Sequence, residues 1–217
     1  MQIYGHRGAG PPQHENTLAA FAHAAARDAH GVELDVRAHG DSLLVIHDDS
    51  VDRTTDGHGT LAGLDLYTIR SLDAGAGQQI PLLDEVIALA ATHPQLDLNL
   101  EIKDRRAAEL LAHRLATDAR LARRVVVSAF APCHLALVAG CAPRMALICT
   151  DDASDACRQA RALGCEALHP HHRQVDRELQ LTARSYGLLI RAWTVNAPDE
   201  RHRLHALGVD AIITDQP

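Results

Sequence analysis

Two pairs of charged residues, each with a single residue between its members, include three carboxylates that could bind a metal ion. Glu33 and Asp35 form the first pair, and Glu101 and Lys103 form the second. Side chains two residues apart on a β-strand point to the same face and lie roughly 6 to 7 Å apart along it. Three carboxylates that converge inside a fold repel one another unless a cation lies among them. We therefore expect Glu33, Asp35 and Glu101 to bind one divalent cation.

The chemistry of these ligands narrows the choice of ion. Carboxylate oxygens favour a hard cation, so we expect Mg²⁺ or Ca²⁺, with Mn²⁺ as an alternative. The sequence has no set of Cys and His residues with the spacing of a zinc site. The competing interpretation is that each carboxylate forms a salt bridge with a nearby arginine. That arrangement is common for a single carboxylate and costly for three that share one interior.

Two histidines are the candidates for proton transfer. His6 and His47 each stand at the end of a predicted strand and precede a charged residue. Such a pair can share general acid and base catalysis near neutral pH. Arg7 and Lys103 add positive charge beside the carboxylates, and the combination suits phosphoryl chemistry. Most of the other histidines are expected to be structural, except for three candidates for ligand contact at the end of the sixth predicted strand: His169, His171 and His172.

Eight short apolar runs, separated by helical patterns, must position these residues. The alternation is typical of parallel βα units, and eight such units predict an α/β fold, a closed (β/α)₈ TIM barrel with its active site at the carboxyl ends of the strands. A doubly wound open sheet is the alternative. The predicted strands lie near Gln2–Tyr4, Val32–Val36, Leu96–Ile102, Val125–Ala129, Met145–Cys149, Ala167–His169, Leu189–Val195 and Ala211–Thr214.

Four glycines mark points where a helix is expected to lead into the next strand. Each follows a helical pattern and precedes a short apolar run: Gly31, Gly164, Gly187 and Gly208. Glycine directly after the last helical turn favours the left-handed conformation that ends a helix. We expect all four to be caps of this kind.

The stretch from about residue 43 to 75 lies outside the alternation. Leu43–Ile46 is predicted to be an extra strand, and the glycine-containing stretch Asp56–Gly63 to be an inserted loop. Because no linker rich in Pro, Gly or Ser is present, we interpret the stretch as a small insertion after the second strand of a single domain spanning residues 1–217.

Composition restricts the partners. The chain has 28 acidic and 21 basic residues and a net charge of −7, which argues against nucleic acid or an anionic membrane and favours a small ligand. Its 5 cysteines cannot all pair within one chain, so we expect buried free thiols in a reducing compartment. Met1–Tyr4 shows no sign of a signal peptide, and Pro132 interrupts the uncharged stretch Val125–Pro143. We therefore predict a cytoplasmic protein without stable membrane association.

Short motifs occur in a specific order along nearly the whole chain. They are His6-Arg7-Gly8, Glu15-Asn16-Thr17, Glu33-Leu34-Asp35-Val36, His47-Asp48, Arg53-Thr54-Thr55, Gly57, Gly59, Pro81-Leu82-Leu83-Asp84-Glu85, Glu101-Ile102-Lys103, Ser128-Ala129-Phe130, Trp193-Thr194-Val195-Asn196 and Thr214-Asp215. Any one of these motifs alone is weak evidence for a family. Their joint order resembles the glycerophosphodiester phosphodiesterase family, a member of the phosphatidylinositol phospholipase C-like TIM-barrel superfamily.

The resemblance implies a fold, an activity and a set of roles. The fold would be a TIM barrel with a small insertion after the second strand. The activity would be metal-dependent hydrolysis of small glycerophosphodiesters, through a cyclic phosphate formed by the neighbouring glycerol hydroxyl, to glycerol phosphate and an alcohol. The implied roles are metal ligation by Glu33, Asp35 and Glu101, acid and base catalysis by His6 and His47, and substrate or phosphate binding by Arg7, Lys103 and Trp193.

Two departures from the family pattern are visible. His14 stands where the family usually has proline before Glu-Asn-Thr, and we expect its imidazole at the surface, with a position near the mouth of the site as the alternative. Ala129 separates Ser128 from Phe130, whereas many members join Ser and Phe directly. We therefore assign no role to Phe130.

Other functions are open at the level of sequence. A lipid-directed phospholipase of the same superfamily would need apolar or aromatic residues at the rim, and aromatic residues make up 3% of the chain. A non-catalytic phosphoester-binding barrel would lack one of the carboxylates or histidines, and all are present. A metal-dependent sugar isomerase does not account for Arg7 and Lys103 beside two histidines.

Overall fold

The computed structural model describes residues 1–10 and 14–217. Its strands are β1 (Gln2–Gly5), β2 (Gly31–His39), β3 (Ser42–Val45), β4 (Asp97–Ile102), β5 (Val125–Ala129), β6 (Met145–Cys149), β7 (Ala167–Pro170), β8 (Leu189–Ala192) and β9 (Ala211–Thr214). Its α-helices are α1 (Leu18–Ala26), α2 (Leu66–Ser71), α3 (Leu83–Ala91), α4 (Arg105–Thr117), α5 (Ala119–Arg124), α6 (Pro132–Val138), α7 (Ala153–Ala162), α8 (Arg177–Ser185) and α9 (Pro198–Ala206). Short 3₁₀ helices cover Leu61–Gly63 and His172–Gln174.

The barrel closes at β1, which pairs with strands on both sides. Tyr4 is in parallel register with Ile213 of β9 and with Gly31 of β2. From β4 to β9 the barrel strands follow one another in chain order, all in parallel. The predicted (β/α)₈ TIM barrel is confirmed. The extra strand is also present, as β3, which pairs antiparallel with the second half of β2.

Barrel-strand side chains alternate between two apolar regions, as the two-residue period of a strand requires. Leu34, Leu100 and Leu168 belong to the main apolar cluster, which includes the inner faces of the helices. Ala167, in contrast, packs with Val126 and Ala146 inside the barrel. The residues flanking each outward leucine therefore point into the barrel, and this alternation aims the polar side chains of β2, β4 and β7 at a common interior.

Three of the four predicted glycine caps are confirmed, and one prediction is wrong. Gly164, Gly187 and Gly208 have φ angles of 77°, 71° and 77°, the left-handed conformation that glycine adopts without steric cost. Gly31 is instead the first residue of β2, and four residues separate the end of α1 from the start of β2. Glycine is needed there for a different reason, because a Cβ atom would lie 2.4 Å from Cε1 of the Tyr4 ring.

The segment between β2 and α3 has a small apolar cluster of its own. Its buried members are Leu44, Ile46, Val51, Leu61, Ile69, Ala74 and Ile80. The predicted loop at 56–63 contains the 3₁₀ helix at Leu61–Gly63, and α2 follows it. This cluster holds the inserted segment against the barrel beside the carboxyl end of β2.

Two further expectations are corrected in detail. The strand predicted at Leu189–Val195 ends at Ala192; the N–H of Trp193 still donates to Pro170 of β7, but that of Val195 donates to Ile213 of β9. The cysteines are free, as expected, but only some are buried, because Cys133 is exposed on α6.

The uncharged stretch 125–143 forms β5, a turn and α6. Within the described residues, no helix is both long and apolar enough to cross a membrane.

Candidate active site

Three carboxylates meet inside the barrel where β2 pairs with β4. Glu33 and Asp35 project from β2, and Glu101 of β4 is in register with Asp35. One oxygen from each residue lies within 4.8 Å of the others. The three residues are 4%, 1% and 9% exposed, respectively. The structure thus brings together the three acidic residues that the sequence singled out.

This donor set fits a hard divalent cation. Glu33 Oε2 accepts a hydrogen bond from the backbone N–H of Arg7 at 3.0 Å, whereas the buried Oε1 has no partner among the described residues. Burial and the charge of Asp35 raise the pKa of Glu33 to about 8. Burial, with Asp35 again contributing, also raises the pKa of Glu101. A bound cation would offset the repulsion between the carboxylates and would coordinate the unpaired Oε1 of Glu33. A set of ligands made only of oxygen atoms is what Mg²⁺, Ca²⁺ or Mn²⁺ prefers.

Two cationic side chains lie against the same carboxylates. Lys103 Nζ is 3.0 Å from Asp35 Oδ1 and also contacts Glu101. Arg7 Nε is 3.3 Å from Asp35 Oδ2. Burial alone would raise the pKa of Asp35, but Lys103 and Arg7 outweigh it and hold this pKa below its usual range. The interpretation as a salt bridge with arginine therefore applies to Asp35, which pairs with Arg7. Glu101 pairs with Lys103 instead. Glu33 lies 4.0 Å from His6 Nε2 and is also close enough to Arg7 to raise the pKa of that guanidinium.

His6 and His47 are each oriented by a carboxylate. His6 Nδ1 lies 2.7 Å from Asp215 Oδ1, and His47 Nδ1 lies 2.6 Å from Asp48 Oδ1. Burial lowers the pKa of His6, but Asp215 and Glu33 outweigh it and raise the pKa above its usual value. A carboxylate on Nδ1 fixes the ring and leaves Nε2 for the reacting groups.

The two carboxylates beside the histidines are candidate site residues to which the sequence analysis assigned no role. Asp215 follows β9, at the same rim as His6, and also accepts a hydrogen bond from Asn196 Nδ2 at 2.6 Å. Asp48 is held by Arg53, whose Nε lies 2.6 Å from Asp48 Oδ2. Both aspartates lie in the motifs that carry the family resemblance, and both lie at strand ends. These two features were the sequence signal for a place at the site. What the sequence lacked was the pairing of Asp215 with a residue 209 positions away.

A cavity of about 200 Å³ gathers most of the predicted site residues. Those lining it are His6, Arg7, Glu33, His47, Glu101, Lys103 and Trp193. Asp35 is more deeply buried and is paired with Asn16, whose Nδ2 donates to Asp35 Oδ2 at 2.7 Å. A wider groove of about 810 Å³ shares His6 and Arg7 with the cavity and is lined by His14. His14 is exposed, as expected, and its imidazole also lies at the mouth of the site, on the side of the inserted segment.

Aromatic rings form one wall of the cavity. Trp193 meets Phe130 edge to face with ring centroids 5.6 Å apart, and His171 packs on Trp193 at 5.4 Å. Phe130 lines the cavity, although the altered Ser-Ala-Phe spacing gave it no role. Of the three candidate histidines in or just after β7, His169 lines the cavity, His171 packs against Trp193, and His172 Nδ1 lies 2.7 Å from Glu200 Oε1.

Comparison with known proteins gives a consistent result. The profile of the family described as "Glycerophosphoryl diester phosphodiesterase family" matches residues 6–217. A protein of Caldanaerobacter subterraneus subsp. tengcongensis named "Glycerophosphodiester phosphodiesterase" is 34% identical over 229 residues, covering 99% of this chain and 94% of its own length.

Solved structures show the same fold. A phosphodiesterase of Oleispira antarctica, determined in complex with the product sn-glycerol-3-phosphate, has a TM-score of 0.89 at 26% identity and covers 100% of this chain and 94% of its own. A glycerophosphodiester phosphodiesterase of Agrobacterium tumefaciens has a TM-score of 0.83 at 26% identity, with coverage of 100% and 97%.

Proposed function

The chain belongs to the glycerophosphoryl diester phosphodiesterase family and is a phosphoric diester hydrolase, and from that premise we propose how its residues divide the reaction. The substrates are water-soluble diesters such as glycerophosphocholine and glycerophosphoethanolamine, and the products are glycerol phosphate and an alcohol. The observation that carries the proposal is the placement of two carboxylate-oriented histidines in the same cavity as the acidic cluster.

Glu33, Asp35 and Glu101 hold the cation in this proposal, with Mg²⁺ or Ca²⁺ as the expected ion and Mn²⁺ as the alternative. When bound, such a cation supplies Lewis-acid stabilisation of negative charge on the phosphoryl oxygens. The backbone N–H of Arg7 orients Glu33, and Asn16 and Lys103 orient Asp35. These contacts fix the carboxylates before any ligand arrives.

His6 and His47 move the protons. One imidazole accepts, at Nε2, the proton of the glycerol hydroxyl next to the phosphate, and the oxygen of that hydroxyl attacks phosphorus. The other imidazole donates a proton to the oxygen of the departing alcohol. Water then opens the cyclic phosphate with the two roles exchanged, which restores both histidines. Asp215 and Asp48 stabilise the imidazolium form of their partners, since each accepts from Nδ1.

Arg7, Lys103 and Trp193 bind the substrate. Arg7 and Lys103 line the cavity on the side of the carboxylates, where they offset the charge of a phosphate group. Trp193 and Phe130 provide an apolar wall opposite. The product bound to the Oleispira relative, sn-glycerol-3-phosphate, is of the size and charge that this arrangement would accept.

A substrate panel tests the proposed function. Purified protein is incubated with sn-glycero-3-phosphocholine, sn-glycero-3-phosphoethanolamine and a diacyl phosphatidylcholine, each with Mg²⁺, Ca²⁺ or Mn²⁺, and followed by ³¹P NMR. We expect glycerol phosphate from the deacylated diesters, a transient cyclic phosphate signal, and no cleavage of the lipid. Cleavage of the lipid alone would support the phospholipase alternative, and no cleavage of any diester would support a non-catalytic barrel. A cytoplasmic location and the absence of stable membrane association stay predictions of the sequence.

A further inference from the structure

His169 is a buried histidine that the proposed reaction does not use. It follows Leu168 of β7, which packs outward in the main apolar cluster, and so it points into the barrel on the same side as Ala167. Its side chain is fully buried, yet it lines the cavity that contains His6 and His47. His169 therefore lies at the inner end of the candidate active site.

Arg191 determines which ring nitrogen of His169 carries the proton. Arg191 Nη1 lies 3.5 Å from His169 Nε2, and Arg191 is itself buried and held by Glu166, with Nη2 and Oε1 2.7 Å apart. A guanidinium has only donors and stays charged. His169 Nε2 must therefore be the acceptor, and the hydrogen is on Nδ1. Burial and the charge of Arg191 also lower the pKa of His169 well below its usual range, which keeps the ring neutral.

The Nδ1 donor has nothing to donate to within the described structure. It is buried without a hydrogen-bond partner there, and so is Oδ1 of Asn99 on β4, which lines the same cavity. Buried polar groups are almost always paired with protein, water or ligand. An unpaired donor and an unpaired acceptor in one cavity thus indicate the position of a bound polar molecule.

The two unpaired groups suit a hydroxyl. A hydroxyl both donates and accepts, whereas a phosphate oxygen only accepts and is better served by the charged side chains of Arg7 and Lys103. The cavity of about 200 Å³ is also larger than the roughly 30 Å³ that one water molecule occupies in the liquid. The cavity is thus lined by two polar, uncharged side chains, His169 and Asn99, in addition to the charged side chains of Arg7, Lys103, Glu33 and Glu101.

We propose that His169 is a specificity-determining residue that donates a hydrogen bond from Nδ1 to a hydroxyl of the substrate's glycerol group. Asn99 Oδ1 accepts a hydrogen bond from the same glycerol group. This inference rests on the proposed hydrolysis of glycerophosphodiesters, which supplies the glycerol. Arg191 acts through His169 as a positioning residue, because it holds the tautomer that points the donor at the ligand.

Binding of two ligands that differ by the glycerol group tests the role of His169. Titration calorimetry on the Mg²⁺-loaded protein measures the affinities for sn-glycerol 3-phosphate and for inorganic phosphate. We expect His169→Leu to weaken sn-glycerol 3-phosphate about tenfold and to leave inorganic phosphate within about twofold, as the loss of one hydrogen bond to glycerol requires. His169→Asn, whose amide NH₂ can take the place of Nδ1–H, should recover most of the lost affinity. Equal weakening of both ligands, or no weakening of either, would overturn the proposal.

A measurement on the unaltered protein covers the case in which His169→Leu does not fold. ¹⁵N NMR of the His169 ring should show a protonated Nδ1 and an unprotonated Nε2, and the Nδ1 signal should shift with sn-glycerol 3-phosphate but not with inorganic phosphate. A proton on Nε2, or an Nδ1 signal that does not respond to sn-glycerol 3-phosphate, contradicts the inference.

The substrate assay separates this inference from the function on which it rests. If the wild-type protein cleaves glycerophosphodiesters and His169→Leu has the same kcat/KM and the same product affinity, only the role of His169 is refuted. If the wild-type protein binds sn-glycerol 3-phosphate through His169 but cleaves no diester, only the proposed function is refuted.

Discussion

Under the proposed function, Glu33 is the residue at which protonation and cation binding would compete. Its Oε1 is buried without a hydrogen-bond partner among the described residues, and burial together with Asp35 raises its pKa to about 8. In the cation-free protein Glu33 therefore holds a proton at neutral pH, although an exposed glutamate would not. A cation that binds here must displace that proton.

This competition predicts a pH-dependent stabilisation by the cation. Because the folded pKa of Glu33 lies above its unfolded value, the stability that this group contributes is complete below the unfolded pKa and is lost as the pH rises through about 8. Saturating Mg²⁺ should therefore raise Tm more at about pH 8.5 than at about pH 6. Differential scanning calorimetry at the two pH values measures the effect, and Glu33→Gln is the control, in which the difference should shrink. A Tm gain that is equal at both values, or larger at the lower one, would argue against protonation of the cluster.

The proposed division of labour predicts different defects for a ligand and for a histidine. Glu101→Gln should weaken Mg²⁺ or Ca²⁺ binding by at least roughly tenfold, because it removes one of three carboxylate ligands. His47→Ala should bind the cation normally and lose roughly 10²- to 10⁴-fold in kcat, as the removal of a general acid or base does. Isothermal titration calorimetry and steady-state kinetics on sn-glycero-3-phosphocholine measure the two properties.

Glu109→Gln is the matched control for these variants. Glu109 is a carboxylate on α4 that pairs with Arg105 and Arg106, away from the cavity. It should change neither cation binding nor kcat. The reverse pattern, in which His47→Ala loses the cation and Glu101→Gln keeps it, would refute the division of roles.

At the scale of single residues, the sequence predicted side-chain types better than side-chain partners. The two-residue spacing placed Glu33 with Asp35 on one strand face, and local periodicity is enough for that. The carboxylate on Nδ1 of His6 comes from Asp215, at the other end of the chain, and no local pattern encodes such a contact. The unpaired donor of His169 likewise depends on Arg191 of the next strand.

At the scale of elements, the junction of β1 and β2 determines where the site lies. Gly31 begins β2 directly beside the ring of Tyr4, and that close approach brings the backbone N–H of Arg7, after β1, within reach of Glu33 on β2. Tyr4 is also bonded through its hydroxyl to Asp97 at the start of β4. Three of the strands that carry site residues thus share one tightly packed contact.

Gly31→Ala should destabilise the fold by about 1 to 3 kcal/mol, because the new Cβ overlaps the Tyr4 ring and must displace it. Gly140→Ala is the control: a Cβ at Gly140 meets nothing within 4 Å, so the change should be within about 0.5 kcal/mol. Urea denaturation followed by circular dichroism gives both values. A Gly31→Ala protein as stable as the wild type would show that β1 and β2 can separate without cost.

The elements themselves were predictable where local signals repeat. Gly164, Gly187 and Gly208 each follow the last turn of a helix and have the expected positive φ. Gly31 has the same sequence context, but its conformation follows from a neighbouring strand rather than from the preceding helix. The end of β8 at Ala192 was missed for a similar reason, since Val195 bonds to β9, and strand pairing is not visible in a single run of apolar residues.

At the scale of the whole molecule, a chain with a net charge of −7 binds the anionic phosphate group of a diester only if positive charge is concentrated locally. Arg7 and Lys103 supply that charge at one cavity, beside a cluster that itself attracts a cation. The barrel could be predicted because eight similar units repeat along the chain. The cavity could be predicted only in part, because it is assembled from the ends of strands that are distant in sequence.

The most direct test of the central claim is the rate of sn-glycero-3-phosphocholine hydrolysis before chelation, after exhaustive chelation, and after a divalent cation is restored. The acidic cluster predicts that chelation lowers the rate by at least roughly 100-fold and that Mg²⁺ or Ca²⁺ restores it, as removal of a catalytic cation requires. The same protein with Glu101→Gln should respond weakly to the restored cation. Full hydrolysis by the wild-type protein after exhaustive chelation would contradict the account.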